Sequence, residues 1–226
     1  MTIGIGSVLG LCCGLRLSKS IRQNRHLFSK NSFPTKITEL MRLFIALNFT
    51  KKEKMKLHRT TEVFRECQFP VKWVEPQNYH VTLKFLGKVS EERLEMVEEA
   101  LDHVGNATKS LEIVIESFGA FPTIRRPEII WAGLEPSSAL RCLKQDLEWA
   151  LKECGFKAET RNFHPHITLG RADSSKGAGA FRGLDEKAAA TVYGSRVQIR
   201  KVDLMRTRQL KSDLIYTVEY SAALSG

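Results

Sequence analysis

Tyr79-His80-Val81-Thr82-Leu83-Lys84-Phe85-Leu86 and Phe163-His164-Pro165-His166-Ile167-Thr168-Leu169-Gly170-Arg171 share the pattern His-x-Thr-Leu, with the two motif histidines 86 residues apart. Both stretches are rich in β-branched and aromatic residues and read as strands. Side chains on a strand alternate between faces. His80 therefore shares a face with Thr82, and His166 with Thr168. Val81, Leu83, Ile167 and Leu169 point the other way and serve as core. Each motif presents an imidazole and a hydroxyl together above an apolar layer.

Two imidazoles suit phosphodiester chemistry. The ordinary histidine pKa lies near 6.5, so one ring can be protonated while its partner is neutral near neutral pH. The neutral ring takes a proton from water, and the protonated ring gives one to a departing ribose oxygen. Charge builds on the nonbridging phosphoryl oxygens, for which Thr82, Thr168 and Arg171 are suitable donors. No metal and no cofactor are required. A lone strand histidine is more often structural; the repeated pattern favours function. Strict alternation puts Arg171, five residues after His166, on the opposite face, so its use requires the strand to end or twist. Phe85 likewise falls on the Leu83 face, making core its default and base stacking dependent on a bend. His164 and His166 lie two apart, but no carboxylate or cysteine set completes a metal site around them. His26, His58 and His103 have no supporting context. The Gly177-Ala178-Gly179 stretch lacks the strand–helix setting of a phosphate loop. Lys84, Arg125, Arg126, Arg161, Lys176 and Arg182 are candidates for a nucleic-acid backbone path, with ordinary surface charge as the alternative.

The totals agree with a globular enzyme or binding module. The 226 residues suffice for one large domain or two small lobes, with 42% hydrophobic and 27% charged residues. The net charge is +10. Residues 1–38 supply six of the basic residues (Arg16, Lys19, Arg22, Arg25, Lys30, Lys36) and no acid, leaving 29 basic against 25 acidic in residues 39–226, a margin of +4. So mild an excess does not by itself argue for a polyanion partner. Five cysteines (Cys12, Cys13, Cys67, Cys142, Cys154) include no C-x-x-C pair, which favours a reducing, cytoplasmic setting over a disulfide framework or zinc site. No run reaches the roughly 18 apolar residues of a membrane helix.

Residues 1–40 read as an N-terminal extension: a disordered tail, a start upstream of Met41, or an organellar transit segment. From Met41 to Gly226 the pattern is orderly. Strands are expected at 41–48, 71–74, 79–86, 109–118, 127–134, 163–171, 197–205 and 214–220. Helices are expected at 51–67 behind an N-cap Thr50, at 90–104 ended by Gly105, and from Ser137 or Ser138 to Glu153, ended by Gly155. Residues 172–183 read as a loop. In each half a helix precedes a strand bearing the motif, which suggests an internal duplication.

These residues resemble the two-histidine phosphoesterase superfamily, and within it the bacterial and archaeal RNA 2′,3′-cyclic phosphodiesterase branch, also called 2′-5′ RNA ligase. The resemblance runs from Met41-Arg-Leu-Phe-Ile-Ala-Leu47 through Val71–Gly87, Phe121-Pro122, Arg126–Leu134 and Phe163–Arg171, about residues 41–220. It implies an α+β, bilobal fold with pseudo-twofold symmetry, antiparallel sheets lining a central cleft and helices outside. It implies His80 as proton donor and His166 as proton acceptor, with Thr82, Thr168 and Arg171 on the phosphate and Phe85 near the nucleotide. His164 matches a noncatalytic position. The substrate would be an RNA end, hydrolysed to a 2′-phosphate, or a small cyclic nucleotide, by a monomer without membrane attachment. Alternatives are ligation of RNA ends, hydrolysis of a compound such as ADP-ribose 1″,2″-cyclic phosphate, or noncatalytic RNA or nucleotide binding. Gly170 replaces a small apolar residue, and Leu204-Met-Arg-Thr207 replaces a Glu-Ser segment with no glycine before Tyr216.

Overall fold

The computed structural model describes residues 40–210 and 213–226. The extension read at 1–40, with Cys12, Cys13 and His26, lies outside the described residues but for Leu40. Among the described residues, nine strands form one antiparallel sheet: β1 (Leu40–Asn48), β2 (Val71–Trp73), β3 (His80–Ser90), β4 (Leu111–Thr123), β5 (Arg126–Leu134), β6 (His166–Ala172), β7 (Ser195–Ile199), β8 (Lys201–Leu210) and β9 (Asp213–Ala223). Their order is β7-β4-β5-β6-β3-β1-β8-β9, with β2 added to β6. That order is symmetric about its centre, four strands to each side. The two sides meet at a single pair, Val81 opposite Ile167. The sheets of the two lobes are therefore one curled sheet with a pseudo-twofold axis at that pair.

The lobes do not coincide with sequence halves. One lobe takes β1, β3, β8 and β9 from both ends of the chain; the other is the stretch β4 to β7, with β2 added on β6. The single strand expected at 197–205 is two strands for this reason. It breaks at Arg200, where the chain leaves β7 in one lobe and begins β8 in the other.

Among the described residues, five α-helices accompany the sheet: α1 (Lys51–Thr60), α2 (Glu62–Arg65), α3 (Leu94–Ala107), α4 (Ser138–Glu153) and α5 (Leu184–Ala190). Thr50 closes a capping box with Glu53 at the start of α1. The helix expected over 51–67 is interrupted at Thr61, whose hydroxyl bonds back to the His58 carbonyl at 2.9 Å and competes with the helical ladder. Ser90 does not cap a helix with its side chain; a 3₁₀ turn at Glu91–Arg93 comes first. Gly105 lies inside α3 rather than ending it. A Cβ there would sit 2.5 Å from the Ala223 carbonyl oxygen, so this glycine lets the helix approach β9 closely. Ser137 caps α4 as expected, accepting from the Leu140 amide. Helix α5 was not foreseen.

Leu43, Ile45, Leu47, Val81, Leu83, Ile167 and Leu169 join Leu101, Leu140, Leu143 and Leu147 in one core. The opposite face of β1 and β8 carries a second, small cluster of Phe44, Ala46 and Met205, with Tyr216 against it. Strand β1 is thus buried on both faces, which explains its continuous apolar run. No helix among the described residues is long and apolar enough to cross a membrane.

Candidate active site

The single pair that joins the lobes sets the site. In antiparallel strands the residue before one partner faces the residue after the other. Val81 opposite Ile167 therefore sets His80 across from Thr168, and Thr82 across from His166. Val81 and Ile167 are fully buried, so the two imidazoles and two hydroxyls share the other face. All four side chains are half-buried. The period-of-two reading of both motifs holds.

Each imidazole is oriented in the same way. The Nδ1 of His80 lies 2.6 Å from the Asn78 carbonyl oxygen, and that of His166 lies 2.7 Å from the His164 carbonyl oxygen. A carbonyl only accepts, so Nδ1 carries the proton and donates in both rings. This leaves each Nε2 as the nitrogen available for proton transfer. His164 contributes its backbone; its own ring is exposed, 6.3 Å from Phe121. Among the described residues, no three His, Cys, Asp or Glu side chains gather as metal ligands would.

Aromatic rings hold the imidazoles. Phe44 lies 5.0 Å from His80 and Tyr216 meets it edge-on at 5.2 Å. Phe121 meets His166 edge-on at 5.1 Å. None of these three rings was a candidate from sequence, because they come from strands distant along the chain. Burial depresses the His80 pKa to about 4, against the raising effect of the Asn78 carbonyl, with Lys54 and His166 adding positive charge nearby. Burial also lowers that of His166, against its bond to the His164 carbonyl. Beside His80, Asn48 is its cross-strand partner. Lys54 Nζ donates to Asn48 Oδ1 at 3.1 Å, and Asn48 Nδ2 donates to the fully buried Asp203 at 2.9 Å.

Two bulges bring in the remaining candidates. On β3, Ile45 pairs with Lys84 and Ala46 with Thr82, so Leu83 is the extra residue. On β6, Ile130 pairs with Gly170 and Trp131 with Thr168, so Leu169 is extra. An inserted residue shifts the alternation by one. Phe85 consequently lies on the His80 face, 70% exposed and 6.0 Å from Phe44. Core, its default, is overturned. Arg171 is exposed on the His166 face by the same device.

The bulge turns Lys84 inward. It is 3% exposed, paired with Glu148 of α4 and bonded to the Lys157 carbonyl at 2.9 Å. It cannot line a nucleic-acid path. Arg161 is exposed and paired with Glu159 at 3.5 Å. Arg125, Arg126, Lys176 and Arg182 are surface residues.

The model of the LigT like Phosphoesterase family matches residues 50–131 and again residues 134–216, each segment holding one His-x-Thr-Leu motif. The chain is a LigT-like phosphoesterase. It is 28% identical over 177 residues to an RNA 2′,3′-cyclic phosphodiesterase of Methanothermobacter thermautotrophicus, covering 78% of this chain and 95% of that one. It is 30% identical over 174 residues to an RNA 2′,3′-cyclic phosphodiesterase of Aeropyrum pernix, covering 76% and 97%. Its fold matches a crystal structure from Thermus thermophilus with a TM-score of 0.67 at 24% identity, covering 82% of this chain and 99% of that one. The double match in this LigT-like chain agrees with the duplication, and the structural neighbour with the α+β fold.

Proposed function

We propose that this chain hydrolyses the 2′,3′-cyclic phosphate at RNA ends to a 2′-phosphate, using His80 and His166 as its acid/base pair. The carrying observation is the symmetric placement of two imidazoles, both with Nδ1 committed to a carbonyl, across from two threonine hydroxyls. The names of the relatives support the substrate. The cyclic phosphate sits between the rings. His166 Nε2 takes a proton from water as the water oxygen bonds to phosphorus. The P–O3′ bond breaks and His80 Nε2 delivers its proton to O3′. The 2′-O–P bond stays, leaving a 2′-phosphate and a 3′-hydroxyl. Thr82, Thr168 and Arg171 donate to the nonbridging oxygens, and Phe85 lies against the nucleotide. Burial lowers the pKa of both histidines in the free protein, so His80 takes up its proton from solvent as the substrate binds, because the substrate's negative charge favours the imidazolium.

The activity belongs to residues 41–226, with residues 1–40 as an addition. A monomer suffices, because both motifs come from one chain. The cytoplasm is the compartment this reading assigns, because five cysteines without a C-x-x-C pair suit reducing conditions.

The test is an oligoribonucleotide ending in a 2′,3′-cyclic phosphate, incubated in EDTA and resolved by gel and mass spectrometry. The end opens to a 2′-phosphate, and His80→Ala and His166→Ala each abolish turnover. Full turnover in either variant, or activity that returns only with a divalent metal, overturns the reading.

A further inference from the structure

A groove lies beside two neighbours of His80, Asn78 and Tyr216. Its volume is about 430 Å³, within the range of small-ligand sites. Trp73, Asn78, Arg171, Leu214, Ile215 and Tyr216 line it. Two of these touch His80: Tyr216 by its ring, Asn78 by its carbonyl. A third, Arg171, reaches the groove from the phosphate side.

The register fixes how the groove relates to the cleft. With Val81 opposite Ile167, the order along the cleft is Arg171, then Thr168 with His80, then Thr82 with His166, then Phe85. Phe85 and the groove therefore stand at opposite ends. A ribose carries its base on C1′ and its 5′ carbon on C4′, cis on one face but at opposite edges of the ring. A terminal nucleoside with its base on Phe85 sends its 5′ chain toward Arg171 and the groove.

The groove suits what that chain brings. Arg171 and Lys72 against Glu75 leave its lining one positive charge in excess, fitting a phosphodiester. Leu214 and Ile215 are exposed apolar side chains, 44% and 40% accessible, at the end of the β8–β9 hairpin. Single-stranded RNA is held by aromatic and apolar platforms for bases beside cationic groups for phosphates. The walls are fixed in advance. Arg65 lies 5.0 Å over the Trp73 ring and donates to the Tyr79 hydroxyl at 2.8 Å. Asn78 Nδ2 donates to the Leu214 carbonyl at 3.2 Å, tying the turn before His80 to β9. A preformed groove of this kind lowers the ordering cost of binding.

We infer that this groove binds the nucleotide immediately 5′ of the cyclic end, so that the preferred substrate is an oligoribonucleotide rather than a nucleoside 2′,3′-cyclic phosphate. This rests on the proposed activity and on His80 as donor to the ribose oxygen. The test compares kcat/KM for uridine 2′,3′-cyclic phosphate with that for the dinucleotide UpU bearing the same cyclic end. The wild type favours the dinucleotide by about tenfold or more, the scale of one base contact. Ile215→Glu and, separately, Leu214→Glu place a carboxylate on the groove wall. Each lowers dinucleotide kcat/KM about tenfold and leaves the mononucleotide within about twofold, with unchanged circular dichroism and melting temperature. Equal wild-type rates on the two substrates, or variants that lower both in parallel, overturn the groove's role while the cyclic phosphodiesterase reading stands. Turnover of neither substrate overturns that reading, and the groove's role with it.

Discussion

Phe85 and Arg171 occupy equivalent places in the two lobes, each three residues past its motif threonine and each turned to the cleft by a bulge at the motif leucine. The same backbone device delivers a ring at one end of the cleft and a guanidinium at the other. In the proposed reaction Arg171 donates to charge that grows in the transition state, so Arg171→Ala should lower kcat by about 10²–10³-fold. Arg171→Lys should recover only part, because an ammonium lacks the planar fork. On the same proposal Phe85 lies against the nucleotide before and during reaction alike. Phe85→Ala should therefore raise KM about tenfold with little change in kcat. Steady-state kinetics on a cyclic-ended oligonucleotide separate the two; a pure KM effect at Arg171 would contradict its proposed place on the reacting phosphate.

Burial makes the site acidic in its pH response. Both histidine pKa values lie below 6.5, His80 at about 4. A reaction needing one protonated and one neutral ring has its kcat/KM optimum midway between the free-enzyme values, hence clearly below pH 6.5. The bound phosphodiester adds negative charge, so the kcat profile should lie at higher pH than kcat/KM. Lys54 pushes the His80 value down. Removing that cation makes imidazolium less unfavourable, so Lys54→Met should move the kcat/KM profile to higher pH. A shift to lower pH, or none, would show that Lys54 does not act on His80 through its charge.

The histidine and threonine positions were legible because alternation around a buried valine or isoleucine survives in the sequence as a period of two. Phe85 and Arg171 were legible only through the family resemblance. A bulge adds one residue to a strand and leaves no mark in composition, so counting by twos put both on the wrong face. Phe44, Phe121, Tyr216 and Lys54 were missed because their closeness to the histidines depends on pairing between strands far apart in the chain. The lobe boundary at Arg200 was hidden for the same reason. Apolar alternation runs through 195–205 on both sides of it, and only the sheet order shows that the chain changes lobes there.

Gly170 is held by packing. A Cβ there would lie 2.5 Å from Val71 Cγ1 and 2.8 Å from Trp73 Cε3, because β2 runs alongside with Trp73 paired to Gly170. Gly170→Ala must push β2 away or straighten the bulge. Overpacking of this kind costs about 1–3 kcal/mol, measurable by urea unfolding. Arg171 follows directly, so inorganic phosphate should also bind more weakly. A variant with unchanged stability and phosphate affinity would show that β2 yields freely at this point.

Behind the other bulge, Lys84 meets charge instead of a small side chain. Glu148 accepts from both Lys84 and Lys144 and from the Glu159 amide at 3.2 Å. Burial alone would raise the Glu148 pKa, but the hydrogen bonds from Lys144 and Lys84 outweigh it and hold the carboxyl below its usual range. Lys84→Met removes one cation and leaves the Lys157 carbonyl without that donor, and breaking a buried pair from one side costs about 3–5 kcal/mol. Adding Glu148→Gln should return part of that loss, because the carboxylate left short of a partner is then gone. The cost of Lys84→Met should be greatest near neutral pH. It should shrink as pH falls from the ordinary carboxylate pKa to the lower one of Glu148 in the unsubstituted protein, which then takes up a proton and loses its attraction for Lys84. Urea unfolding near neutral pH and again in the acid range measures both effects. A cost independent of pH would assign Lys84 a packing role and no electrostatic one.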